Sequence, residues 1–233
     1  SLSDVVRAEK ADVGFAVDPD VDRLAIMCED GEMFGEEYTL VAVADYILQN
    51  TKGNTVSNLS SSRALRDITS IYGGNYEAAA VGELNVVTKM KQNHAIIGGE
   101  GNGGVIYPEL HYGRDSICGI ALFLTYLAKC KKKVSELKAS YPQYFMSKNK
   151  IQLTPEINVD AILQKMNEIY SAQPDTTVPT IDGVKIDFPE NWVHLRKSNT
   201  EPIIRIYSEA PTEAAAQKLA EEVIAIAERI IEG

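Results

Sequence analysis

The sequence predicts an α/β protein: a mixed, mostly parallel α/β/α domain followed by a smaller α+β domain with an antiparallel sheet. Three observations predict it. From Val13 to Cys130, short apolar runs alternate with segments of helical periodicity, the order that lays helices on the faces of a parallel sheet. Past Ser140 the order changes to a strand, a helix, three short strands and a closing helix. The chain has 233 residues, 45% of them apolar, enough for one large domain or two small ones with real cores.

Each element has a local reason. GFAV and LAIMCE read as two strands around the loop DPDVDR, with Asp30 and Gly31 turning the chain afterwards. That unit is too small to fold alone, so the chain is expected to begin inside a domain. EEYTLVAVADYILQN sets Leu40, Val43, Ala44 and Ile47 on one helical face. NTVSNLS is a buried strand, and SSRALRDITSIYG a helix capped by one of its serines and ending at Gly73. YEAAAV, ELNVVTKMKQN and HAIIGG follow as strand, helix and strand, then a Gly-rich loop and the helix RDSICGIALFLTYLAKC. YPQYFMSKNKIQLTPE is a linker running into a strand, and VDAILQKMNEIYSA a helix. Strands fall around VKIDF, WVHLRK and IIRIYSE. The last helix starts near Thr212, where Glu213 suits the helix dipole, and buries Ala216, Leu219, Val223, Ile226 and Ile230 as one stripe.

Composition excludes several classes. A formal net charge of -10 makes nucleic acid and anionic membranes poor partners, and obliges any phosphorylated ligand to have a dedicated local site. The three cysteines, Cys28, Cys118 and Cys130, form no CxxC pair or disulfide framework, which favours a reducing compartment. The polar start SLSDVVRAEKAD is no signal peptide, and the longest apolar run is about half a bilayer span. A soluble, cytoplasmic protein is expected.

Three loops carry chemistry. In DPDVDR, Asp18, Asp20 and Asp22 at alternate positions are placed to converge on a hard cation with oxygen ligands. A calcium EF-hand fails, because Arg23 stands where that loop needs glycine and a strand follows. A dehalogenase-type phosphatase fits the third aspartate and Arg23 poorly, and a solvated acidic turn sits badly between apolar strands. Magnesium is the best match. In RKSNTEPIIR, Ser198, Asn199 and Thr200 offer an anion-binding turn, and Arg196 and Arg205 bracket it with bidentate donors for phosphate. In GGEGNGG, Glu100 and Asn102 are the only side chains; with no cation nearby in sequence they suit sugar hydroxyls better than phosphate. No dinucleotide fingerprint opens a helix there.

In this order the three loops resemble the α-D-phosphohexomutase family, which includes phosphoglucomutase, phosphomannomutase and phosphoglucosamine mutase. That family carries a D-x-D-x-D-R magnesium loop, a G-E-x-x-G sugar loop and an R-x-S-N-T-E-P-x-x-R phosphate loop. The resemblance implies the later part of a four-domain architecture: the end of domain 2 over residues 1–33, domain 3 over 34–147 and domain 4 over 148–233. It implies that Asp18, Asp20 and Asp22 bind Mg2+, with Arg23 catalytic beside the metal and a phosphoserine. Glu100 and Asn102 would meet sugar hydroxyls, and Arg196, Ser198, Asn199, Thr200 and Arg205 the substrate's non-reacting phosphate. The implied reaction passes through a hexose 1,6-bisphosphate, with a phosphosugar as substrate and the missing N-terminal domains as partners.

The chain also departs from the pattern. No S-H-N phosphoserine context occurs, so this chain alone is expected to be inactive. The sugar loop ends in Gly103-Gly104 where many members have Ser-Gly-His, so a histidine is lost, and Glu83 stands where some members place a histidine. Arg114, in GRD after the sugar loop, is a further candidate to reach phosphate. Phosphoglucosamine mutase is the alternative activity, and a non-catalytic phosphosugar-binding module the alternative class.

Overall fold

The computed structural model describes residues 1–154, 157–198 and 200–232. They form two compact units, Ser1–Pro142 and Gln143–Gly233.

The first unit opens with α1 (Leu2–Glu9) and the hairpin β1 (Val13–Val17) and β2 (Leu24–Cys28). It continues through α2 (Glu36–Asn50), β3 (Asn54–Asn58), α3 (Ala64–Ile71), β4 (Tyr76–Ala79) and α4 (Glu83–Asn93). β5 (Ala95–Glu100), β6 (Gly104–Ile106), α5 (Ser116–Cys130) and α6 (Val134–Ala139) complete it. Its main sheet has the order β4-β3-β5-β6; β3 pairs parallel with β4 and β5, and β6 is antiparallel. The expected mostly parallel sheet is thus present, and its carboxyl edge is where α/β proteins gather ligand-binding loops.

Several details differ from the sequence expectation. α2 is buried on nearly every side, from Tyr38 through Leu48, because it lies among α3, α5 and the strands rather than on a surface. Polar groups end up inside with it. The Asp45 carboxylate accepts hydrogen bonds from the hydroxyls of Tyr72 at 2.7 Å, Tyr126 at 2.6 Å and Tyr141 at 2.9 Å, so α3, α5 and the end of the unit hang on one residue of α2. α3 takes Arg63, not a serine, as its N-cap, although the Ser62 hydroxyl does accept from the Ala64 N–H at 3.2 Å. α1 was not expected; a capping box between Ser1 and Asp4 starts it, and Val6 is its buried anchor.

The second unit comprises β7 (Phe145–Gln152), α7 (Val159–Ser171), β8 (Val184–Asp187), β9 (Trp192–Lys197), β10 (Ile203–Ala210) and α8 (Glu213–Glu232). Its sheet, β7-β10-β9-β8, is antiparallel throughout, as expected of the smaller α+β domain. α7 and α8 cover one face, closing a core of Met166, Ile186, Val193, Leu195, Ile204, Ile206 and Val223. At the β9 end, Trp192 is fully buried and its indole N–H donates to Glu209 Oε1 at 2.7 Å.

Candidate active site

In the first unit, the loop between β1 and β2 is fixed by its neighbours before any ligand is considered. Val21 takes a φ of 57°, a left-handed conformation uncommon for a β-branched residue. The Ser116 hydroxyl at the start of α5 holds it by donating to the Val21 carbonyl at 2.7 Å, and the Val21 N–H donates to the Asp18 carbonyl at 3.0 Å. The Leu24 N–H donates to the Gly103 carbonyl at 3.0 Å, so the aspartate loop and the sugar loop share a backbone bond. Gly103 has a φ of 87°, and a Cβ there would stand 2.4 Å from the Leu24 carbonyl oxygen, so only glycine permits that approach.

The three aspartates are not equivalent. Asp18 Oδ1 accepts from the N–H groups of Asp22 at 3.1 Å and Arg23 at 3.2 Å. Partial desolvation would raise the Asp18 pKa, but these bonds and the Arg23 charge outweigh it and hold the carboxyl below its ordinary value. Asp22 moves the other way: desolvation, with the adjoining Asp18 carboxylate, raises its pKa against the pull of Arg114 and Arg23. Asp20 is exposed, and among the described residues no group of three or more acidic, histidine or cysteine side chains is disposed to hold a metal. Like charges that close require a counter-charge, and here arginines provide it for two of them. Arg23, largely exposed, brings Nε to 3.5 Å from Asp18 Oδ2 and 3.8 Å from Asp22 Oδ1. The donor chemistry nevertheless fits magnesium: two adjoining carboxylates with a third nearby in sequence, and a buried oxygen, Asp22 Oδ1, that accepts no hydrogen bond.

The second counter-charge is Arg114, which the sequence placed only as a candidate phosphate contact. Its side chain is 13% exposed and meets three carboxylates from three segments. Nη1 donates to Glu100 Oε2 at 2.7 Å, Nη2 pairs with Asp22 Oδ2, and Nε lies 3.4 Å from Glu83 Oε2. The Arg114 N–H also donates to Glu83 Oε1 at 2.9 Å. The absence of a cation near the sugar loop, inferred from sequence, is therefore wrong. Glu100 is buried, and its other oxygen accepts from Asn58 Nδ2 at 2.7 Å and the Gly82 N–H at 3.1 Å. Asn102 is half-buried and its Oδ1 accepts from the Gly104 N–H at 3.2 Å.

Two sets of residues escaped the sequence reading. At the carboxyl end of β3, buried Asn58 and Ser61 support the sugar loop; the Ser61 hydroxyl accepts from the Gly101 N–H at 2.9 Å. Glu37 at the start of α2 accepts from the Ser62 N–H at 2.8 Å, and its carboxylate lies where a side chain at Gly101 would be. The run NLSSSR directly after a parallel strand was the available signal.

In the second unit the phosphate-loop candidates sit on a hairpin. Arg196 of β9 and Arg205 of β10 are direct cross-strand partners, so both side chains leave the same face of the sheet. Like charges in that position are destabilising, and the Nε of each is buried without a hydrogen-bond partner among the described residues. Arg205 Nη2 donates to Glu201 Oε2 at 3.0 Å. Between the strands, the Thr200 N–H donates to Ser198 Oγ at 3.4 Å, and the Ser198 N–H closes the turn on the Ile203 carbonyl at 3.0 Å. Asn199 lies outside the described residues.

Comparison with known proteins identifies the family. The family model for the phosphoglucomutase/phosphomannomutase alpha/beta/alpha domain III matches residues 35–144, and the model for the C-terminal domain matches residues 150–226. The chain belongs to the phosphoglucomutase/phosphomannomutase family. It is 37% identical over 231 residues to a phosphoglucomutase/phosphomannomutase of Thermococcus kodakarensis, covering 99% of this chain and 50% of that protein. It is 34% identical over 234 residues to a phosphoglucosamine/phosphogalactosamine mutase of Sulfurisphaera tokodaii, with 99% and 50% covered. The chain thus spans about half the length of the curated relatives it matches. Among solved structures, a phosphoglucomutase/phosphomannomutase family protein from Burkholderia thailandensis aligns with a TM-score of 0.83 at 25% identity, over 98% of this chain and 49% of that one. An N-acetylphosphoglucosamine mutase of Aspergillus fumigatus, solved with GlcNAc-6P and magnesium, shares the fold at a TM-score of 0.66 and 14% identity, over 96% and 56%. Among the described residues no helix is long and apolar enough to cross a membrane.

Proposed function

We propose that this chain is the C-terminal part of a magnesium-dependent phosphohexomutase, which interconverts hexose 1-phosphates and 6-phosphates through a phosphoserine enzyme and a bisphosphate intermediate. The observation that carries the reading is the arginine pair on β9 and β10. Two guanidinium groups on one sheet face, each with a buried and unbonded Nε, are costly unless an anion joins them. With Ser198 and Thr200 in the intervening turn, and Asn199 between them in the sequence, they form a clamp for the phosphate that does not react. Holding that phosphate fixes the sugar, so positioning supplies the rate enhancement that little covalent chemistry could.

In the first unit, Asp18, Asp20 and Asp22 would hold the magnesium, which when bound offsets charge on a transferring phosphoryl group. Arg23, exposed beside Asp18 and Asp22, is the donor for that group's oxygens. Asn102 keeps an amide donor for a sugar hydroxyl, and Glu100 acts mainly by orienting Arg114 and the loop. On this reading the phosphoserine would lie outside the 233 residues, in which no S-H-N context occurs.

The sugar is glucose, mannose or glucosamine phosphate, and both curated activities named above resemble this chain to nearly the same degree. The test has two arms. The 233-residue chain should bind glucose 6-phosphate but not glucose, and should give no turnover of glucose 1-phosphate with a bisphosphate activator. The protein including the upstream S-H-N segment should turn over, and its kcat/KM on the three 1-phosphates ranks the substrates. Turnover by the chain alone would refute the division of labour; equal binding of glucose and its phosphate would refute the clamp.

A further inference from the structure

Arg114 is more than another substrate contact, because of what it touches and why it fits. It lies among Asp22, Glu83 and Glu100, while the neighbouring cation, Arg23, takes Asp18 and Asp22. Its path crosses Gly104: a Cβ there would stand 2.5 Å from Arg114 Cδ. A side chain at that position and this arginine in its present path exclude each other. Glycine at 104 is what admits a cation to the junction of the aspartate and sugar loops.

We propose that Arg114 is a displaceable counter-ion for the metal loop. It neutralises Asp22 when no divalent cation is bound, and cedes that carboxylate when one binds, remaining anchored by Glu83 and Glu100. This rests on the proposed magnesium reading of Asp18, Asp20 and Asp22. A divalent cation taken up at Asp22 Oδ1 draws charge from the carboxylate whose Oδ2 holds Arg114 and sets two cations side by side, and like charges that close repel. Arg114 has two alternative carboxylates within reach, at 2.7 and 3.4 Å, so letting go of Asp22 leaves no buried charge unpaired. The released Nη2 is then a donor for an anionic oxygen beside the metal. Cation loading would thus prepare the arginine for phosphate, which couples the two ligands through one side chain.

The test is Mn2+ binding to the 233-residue chain, followed by electron paramagnetic resonance of the free ion, with circular dichroism as the check on folding. Arg114→Gln should bind Mn2+ roughly tenfold more tightly than the native chain. Glu83→Gln removes one alternative anchor, so Arg114 stays on Asp22 and Mn2+ affinity falls by about threefold to tenfold. That fall should vanish in the double variant, whereas a simple loss of nearby negative charge would persist there. If Arg114→Gln fails to fold, Arg114→Lys decides, since a lysine cannot span three carboxylates and should also bind Mn2+ more tightly. Unchanged or weaker Mn2+ binding in the folded Arg114 variant overturns the proposal while leaving the metal reading intact. No Mn2+ binding to any form overturns both.

Discussion

The two loop clusters solve opposite charge problems. In the first unit the carboxylates of Asp18, Asp22, Glu83 and Glu100 surround two arginines, Arg23 and Arg114, and nearly all of the charge is already paired. In the second, Arg196 and Arg205 face each other across β9 and β10, with Glu201 paired to one of them. An acidic cluster can be stabilised from within because arginine is long and its fork reaches several acceptors. A pair of arginines at cross-strand positions has no such remedy, since both are fixed by the same ladder. The first cluster therefore pairs each of these carboxylates with an arginine yet keeps an excess of negative charge, while the second keeps an excess of positive charge.

The largest expected effect breaks the second half of that contrast. Replacing both Arg196 and Arg205 by alanine should cost about 2 kcal/mol of phosphosugar binding per arginine, some thousandfold in Kd overall. Isothermal titration with glucose 6-phosphate measures it, and the fold should survive because the repulsion disappears too.

Next comes acid. Burial of His194 lowers its pKa from 6.5 to about 4, and its Nε2 lies 2.6 Å from the Asp182 carbonyl. The unfolded chain takes up the proton first, so the stabilisation is complete above pH 6.5 and is lost as pH falls towards 4. The second unit should lose about 3 kcal/mol across that window. Trp192, the only tryptophan, lies in the core of this unit, so its fluorescence in urea titrations at successive pH values reads the loss directly.

Smaller effects sharpen the first half. Glu100→Gln keeps the shape but weakens the charge-assisted bond from Arg114, and should destabilise the first unit by about 2 kcal/mol with no change in the tryptophan signal. Val21→Asn should be neutral or stabilising by up to about 1 kcal/mol, because asparagine tolerates the left-handed backbone that valine does not. Thermal unfolding followed by far-ultraviolet dichroism resolves both.

What could be read from sequence divides along the same line. RKSNTEPIIR was legible because its chemistry is local: two strands and a turn place Arg196 opposite Arg205 within one hairpin. The helices α2, α4 and α7 were equally legible from periodicity, although all-round burial of α2 depends on what packs over it. The Arg114 cluster was not legible. Its partners are 14, 31 and 92 positions away, and only the parallel sheet with its returning helices brings Glu100, Glu83 and Asp22 to one point. For that reason a loop containing only Glu100 and Asn102 looked free of cations. The three aspartates were found by spacing, but spacing says nothing about which of them the surrounding backbone will gather. The three-residue β6 and six-residue α6 were too short to leave a period.

The most direct test of the account is a titration of the chain with glucose 6-phosphate followed by amide NMR. Saturable shifts are expected at Ser198, Thr200 and Ile203, and they should disappear in the Arg196→Ala, Arg205→Ala double variant. Shifts of equal size in that variant, or saturable binding that leaves those amides unmoved, would contradict the clamp.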